Sequence, residues 1–246
     1  MARDTDPIAT SVWIRPSRSL RGQPTLSLDQ IVSAAIELLD AEGLDGMSMR
    51  RLGARLGAGA TSAYWYVRNK SELLELAIDK VMGEIDIPDA AEVGWRTAAG
   101  ASAREYRSAV LRHPWMIGVL GVLPAIGPNA MRMSDRMIKA LTAAGFAGEE
   151  LAFASSMLAS HAVGSAMTEV AMRAASARAE KSPNELVAEL EPYIRSLEAD
   201  YHSYVALWTE NKGMDMERLQ DDGFDFGLDR LLDGLQAWLD RPEGRD

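Results

Sequence analysis

The apolar residues of this chain recur at intervals of three and four, the spacing of one face of an α-helix. Ser27 with Gln30 makes a capping-box pattern, and Leu28, Ile31, Val32, Ala35 and Leu39 then mark one face until Gly43 closes it. Ser48 is placed as the N-cap of a second helix over 49–56, whose apolar face is Met49, Leu52 and Leu56, and Gly57 stops it. A third short helix is expected over about 60–66. Asn69 with Glu72 repeats the capping-box pattern and opens a fourth helix carrying Leu74, Ala77, Ile78, Val81, Met82 and Ile85, closed off by Pro88.

The remainder reads the same way. One helix over 95–113 ends at His113-Pro114, and Pro124, Gly127 and Pro128 interrupt the chain before another over 129–144. Glu149 and Glu150 sit where the dipole of a long helix, expected to about residue 175, favours acids. After a loop at 177–181, Ser182-Pro183-Asn184-Glu185 combines an N-cap, a first-turn proline and a capping-box acid. A helix over 201–209, a break at 211–213 and a last helix with Leu228, Leu231, Leu232, Leu235, Trp238 and Leu239 complete the pattern. No strand alternation of useful length interrupts it, so the expected fold class is all-α.

Composition narrows the chemistry. There is no cysteine, which excludes disulfides, thiolate zinc sites and cysteine nucleophiles. The uncharged stretch 151–168 carries Ser155, Ser156, Ser160, His161 and Ser165, polar groups a bilayer core tolerates poorly, so it reads as a protein-buried helix rather than a membrane span. The first residues lack the apolar core of a secretory signal, and a cytoplasmic protein is expected. The formal net charge is −10, yet residues 46–71 hold five basic residues (Arg50, Arg51, Arg55, Arg68, Lys70) and no acid. Residues 87–246 carry 16 basic and 24 acidic groups. A small basic island on an acidic body suits one face approaching phosphates; chance clustering on a solvated helix gives the same count.

Residues 48–70 settle the choice. Two short helices separated by Gly57, with small Gly53 allowing close approach, have the geometry of a helix-turn-helix. Thr61 and Ser62 suit phosphates or base edges, and Tyr64, Trp65 and Tyr66 suit backbone and thymine methyls. From about residue 31 to 85 the chain resembles the tetracycline-repressor (TetR) family. The resemblance rests on Gly43-Leu44, Met47-Ser48-Met49-Arg50, Leu52-Gly53, Leu56-Gly57, Tyr64-Trp65-Tyr66-Val67, Asn69-Lys70 and Leu73-Leu74. The ending at 224–235 also resembles the last helix of the branch nearest the tetracycline repressor itself.

The resemblance implies DNA contacts from Ser48, Arg50, Ala60, Thr61, Ser62, Tyr64, Trp65, Tyr66 and Lys70. Ala60 and Thr61 replace a glutamine and a proline of the tetracycline repressor, which implies a different base readout. Trp65 has a second reading, as packing against the first helix. The organisation expected is a flexible basic arm at 1–26 with Arg15, Arg18 and Arg21, a helix-turn-helix DNA-binding domain at 27–86, and a helical ligand-binding and dimerisation domain at 87–246. That arm either follows a DNA groove or is an untethered terminus.

Two heads one helical turn apart require a two-fold dimer, for which Ala159, Gly164, Phe224, Leu228, Leu231 and Leu235 are the candidates. Methionines and aromatics of the body suggest an adaptable apolar pocket lined by Trp115, Met116, Leu120, Met133, Met137, Phe153, Met157, His161 and Trp208, though each alone fits plain core. No histidine stands in 119–124, where the tetracycline repressor places one on its magnesium–drug chelate, and neither a metal nor another cofactor is expected. No nucleophile–base pair or phosphate loop is present, so the chain reads as no enzyme. The expected partners are a double-stranded DNA operator, a small apolar effector and a second copy of the chain, with no membrane. The leading reading is a ligand-released repressor. An activator of the same fold, an all-helical enzyme and a non-specific architectural DNA binder stand as alternatives.

Overall fold

A computed structural model describes Ile8 and residues 11–14, 26–57 and 63–241. Among these residues no β-strand forms beyond an isolated bridge between Leu120 and Leu123. The first helix, α1, spans Leu28–Gly46. Its capping box is complete: Ser27 Oγ accepts from Gln30 N at 3.1 Å, and Gln30 Oε1 accepts from Ser27 N at 2.8 Å. Gly43, at φ 68°, leaves the helical path as expected, but a further turn continues to Gly46. Helix α2, Met49–Arg55, starts on the Ser48 cap and ends before Gly57, whose φ of 62° is cheap only for glycine.

Helix α3, Lys70–Met82, shows half of its expected box. Asn69 Oδ1 caps Glu72 N at 2.9 Å, but the Glu72 carboxylate accepts from Arg68 N at 2.7 Å instead of returning to Asn69. A short turn α4 (Ala90–Val93) precedes α5 (Trp95–Arg112), a 3-10 turn (Pro114–Gly118), α6 (Pro128–Ala144) and α7 (Glu149–Ala179). The short helices α8 (Pro183–Glu189), α9 (Glu191–Ser196) and α10 (His202–Glu210) lead to α11, Met216–Leu239. This last helix begins well before its leucine stripe, because Asp215 Oδ1 caps Glu217 N and Arg218 N.

The chain divides into two compact units, Met1–Ala159 and Ser160–Asp246. In the first, Ile31, Leu39, Leu52, Leu73, Ile78 and Met82 are wholly buried, each worth roughly 1.5–3 kcal/mol of apolar burial. That core runs on through Ile87, Ala98 and Ala109 to Trp115 and Met116, so packing is continuous across residue 87. Residues 11–14 depart from the expectation of a mobile arm. Ser11 is fully buried against α3, because the buried Glu75 carboxylate there needs donors. Among the described residues, no helix is long and apolar enough to cross a membrane.

Candidate nucleic-acid interface and ligand cavity

The reading surface is built on two anchors. Ala63 and Val67 are buried, and the N–H groups of Tyr66 and Val67 donate to Ala63 O at 3.0 and 3.1 Å. That tight turn aims the intervening side chains outward, leaving Tyr64 46% and Trp65 65% exposed. Trp65 therefore does not pack as a core residue in this chain. Tyr66 turns back, its hydroxyl donating to the carbonyl of Leu26 just ahead of α1. Ala60, Thr61 and Ser62 lie outside the described residues.

Pairing sorts the basic island. Arg51 is paired with Glu42, Arg55 with Glu37 at 2.6 Å, and Arg68 lies 3.9 Å from Glu72. Arg50 is exposed and has no ion pair among the described residues, which leaves its guanidinium available for an external phosphate. Ser48 Oγ accepts from Arg51 N at 3.3 Å and keeps its own proton to donate. Lys70, expected on a phosphate, donates to Leu44 O at 2.6 Å and Met47 O at 2.9 Å, which leaves a third ammonium N–H for a phosphate. It staples the turn between α1 and α2, because those carbonyls at the end of α1 have no helical partner.

Behind this head, α5, α6 and α7 enclose a cavity of about 400 Å³. Met133, Met137 and Ile138 of α6 face Leu151 and Leu158 of α7, with Tyr106 of α5 on the third side. The polar groups on this wall are Ser102, Tyr106, Ser134 and Ser155. Burial pushes the Tyr106 hydroxyl pKa up, so at neutral pH it is a protonated donor. Ser155 Oγ is buried with no hydrogen-bond partner among the described residues. Such a site favours a largely apolar molecule with a few oxygen functions.

A second apolar cavity, about 420 Å³, lies wholly in the second unit among Val187, Tyr204, Leu207, Trp208, Met214 and Leu219. Of the sequence candidates, Met133 and Met137 line the first cavity and Trp208 the second. Trp115 and Met116 are buried in the core instead, the Trp115 indole N–H donating to Asp40 at 2.8 Å. Leu120 packs against the same core, and Phe153 and Met157 are exposed. His161 stacks on Phe224 with ring centroids 5.0 Å apart and bonds its carbonyl at 2.9 Å. Sequence reading missed Tyr106 and the three serines. An inward hydroxyl in an apolar helix was the available signal, and for Ser155 it served only to argue against a bilayer.

The dimer candidates also sort. Phe224, Leu228 and Leu235 are already buried in the single chain, and Leu231 and Ala159 are half-buried. The large apolar groups that the second unit leaves exposed on α7 and α11 are Met167, Leu219, Phe226 and Trp238; Gly164, Gly223 and Gly234 of the same helices have open space above them. Four-residue spacing marks an apolar face but does not say whether that face meets its own chain or another.

Polar contacts join the head to the helices around the cavity. The first residue of α6 is preceded by Gly127, which offers no side-chain cap. Asp79, on α3, supplies it: Oδ1 accepts from Asn129 N and Ala130 N, both at 3.0 Å, and Oδ2 from Asn129 Nδ2 at 3.1 Å. A second junction is His113, whose ring nitrogens reach Asp40 of α1 at 2.8 Å and Glu84 after α3 at 3.3 Å. The helix that follows the reading turn is thus bonded to the helix that walls the cavity.

Residues 31–77 match the profile of bacterial regulatory proteins of the tetR family, and residues 87–239 match the tetracyclin repressor-like C-terminal domain. An HTH-type transcriptional regulator of Saccharopolyspora erythraea is 36% identical, the match covering 92% of each chain. The HTH-type transcriptional repressor DrrR1 of Streptomyces coeruleorubidus is also 36% identical, over 95% of this chain and 86% of its own. Among solved structures, ActR of Streptomyces coelicolor in complex with actinorhodin superposes with a TM-score of 0.73 at 29% identity, covering 88% of this chain and 99% of that one. With a helix-turn-helix head, a cavity-bearing helical body and both family profiles matched in order, the chain belongs to the tetR family of DNA-binding transcription regulators.

Proposed function

We propose that this regulator is a homodimeric repressor, released from its operator when a largely apolar small molecule fills the cavity between α5, α6 and α7. The supporting observation is the Asp79 bridge, which ties the wall of that cavity to the helix that follows the reading turn. A molecule that shifts the first turn of α6 acts directly on α3 and so on the spacing of the two heads. Contacts to DNA come from Arg50, Ser48, Tyr64 and Trp65, with Ala60, Thr61 and Ser62 opening the reading segment. The second copy seats on Met167, Phe226 and Trp238, apolar groups that α7 and α11 leave exposed. The naming of DrrR1 as a repressor supports the direction of control, and the actinorhodin complex of ActR supports control by a bound small molecule. The protein acts on DNA in the cytoplasm and turns over no substrate.

Fluorescence anisotropy on DNA from the protein's own promoter tests this reading, with actinorhodin as the first probe. Saturating probe is expected to weaken operator binding at least tenfold, a coupling of about 1.4 kcal/mol. Met137→Trp, which fills the cavity, is expected to remove that response. An undiminished response in Met137→Trp would place the effector elsewhere.

A further inference from the structure

The segment ahead of α1 does more than cover the head. Ser11 Oγ donates to Glu75 Oε2 at 2.5 Å, Val12 N donates to the same oxygen at 3.2 Å, and Trp13 N donates to Ser11 Oγ at 3.3 Å. Glu75 stands one helical turn before Asp79 on α3, and both are buried. Two residues on, the Trp13 ring lies over Gly127, the residue that opens α6. A Cβ at Gly127 would stand 2.5 Å from Trp13 Cζ2 and 2.3 Å from Asp79 Oδ1, so only glycine fits between the ring and the carboxylate. One short stretch of chain therefore grips α3 through Glu75 and covers the point where Asp79 caps α6.

We propose that residues 11–13 form a strap that holds α3 to the first turn of α6, making Ser11 and Trp13 positioning residues for signal transfer between cavity and head. Without the strap, Glu75 keeps a buried carboxylate with fewer donors, and the Asp79 cap opens to water. Both changes loosen the same joint. Burial raises the Glu75 pKa while the Ser11 hydrogen bond lowers it, consistent with a carboxylate whose place on α3 depends on that hydroxyl. Only the transfer of a cavity signal rests on the effector reading above; the mechanical role of the strap does not.

Hydrogen–deuterium exchange of the full chain without DNA tests the strap, with N-phenyl-1-naphthylamine, an uncharged apolar fluorophore, as cavity probe. In Ser11→Ala and in Trp13→Ala, amides of 75–82 and 129–131 are expected to exchange on the order of tenfold faster, with rates in the second unit unchanged. Probe binding, read by fluorescence, stays within about twofold of wild type, but the protection it confers at 129–131 no longer reaches 75–82. Glu75→Gln keeps an acceptor for Ser11 and Val12 and retains wild-type exchange. Unchanged rates on α3 in both alanine variants, or acceleration spread evenly over both units, would overturn the proposal. A probe that fails to bind wild type counts against the cavity reading, and the probe-free exchange rates then decide the strap alone.

Discussion

The head and the second unit use the same apolar spacing to different ends. In α1, α2 and α3 the apolar stripe is almost wholly consumed by one core, and the aromatics left outside, Tyr64 and Trp65, belong to the same head as exposed Arg50, which has no ion pair among the described residues. In the second unit the stripe of α11 is consumed as well, by Phe224, Leu228, Leu232 and Leu235, yet Phe226 remains 66% exposed and Trp238 stays uncovered. Exposed aromatics in a head that also exposes an unpaired cation fit a polyanion, whereas Phe226, whose covering Arg230 is itself paired with Asp233, fits another apolar surface. Burial, not periodicity, separates the two.

The sharpest way to break this comparison is a pair of substitutions two residues apart on α11. Leu228→Ala removes wholly buried side-chain volume and is expected to cost about 2–5 kcal/mol in denaturant unfolding. Phe226→Arg leaves that core intact, and is expected instead to yield monomers in sedimentation analysis and to weaken operator binding about a hundredfold. If Phe226→Arg stays dimeric, the exposed face of α11 is not the seat of the second copy.

In the head, Lys70 and Arg50 make the matching contrast. Lys70→Ala leaves two carbonyls at the α1–α2 turn without their donor, and is expected to destabilise the head by roughly 1–3 kcal/mol while leaving the salt slope of DNA binding unchanged. Arg50→Ala is expected to leave the unfolding midpoint in place, to weaken operator binding roughly tenfold, and to reduce the logarithmic salt slope by about 1. A flattened slope in Lys70→Ala would show that its third N–H reaches the DNA backbone as well.

The smallest expected effect is one of pH. Burial raises the Glu75 pKa above that of the unfolded chain, so the folded state binds its proton more tightly. The contribution of this group to stability therefore falls as pH rises from about 4.5 through the folded value. Glu75→Gln is expected to remove that fall, making the variant's stability rise relative to wild type between acid and neutral pH. Parallel stability profiles would show that the carboxylate carries no such penalty.

Most helices were legible because local chemistry marks their ends. Ser27, Ser48, Asn69 and Ser182 cap where their side chains suggest, and Gly43 and Gly57 break the helical path where positive φ is needed. What stayed hidden depends on partners distant in sequence. Nothing local tells that Lys70 reaches back to Leu44 and Met47, that Asp79 caps a helix fifty residues on, or that Ser11 finds Glu75. The cavity was half legible: Met133 and Met137 follow from the methionine pattern, whereas Trp115 and Met116 look the same in sequence and are core. A side chain's type predicts that it will be buried but not whether the neighbouring space is filled.

Operator recognition by a homodimer requires the brief reading turn anchored by Ala63 and Val67 to be offered to DNA by each of two subunits. Footprinting of the protein's own promoter by wild type and by Trp65→Ala tests this most directly. Wild type is expected to protect two half-sites about 34 Å apart, centre to centre, and Trp65→Ala to lose both together with its unfolding midpoint unchanged. Protection by Trp65→Ala at wild-type concentrations, or a single undivided contact, would contradict the account.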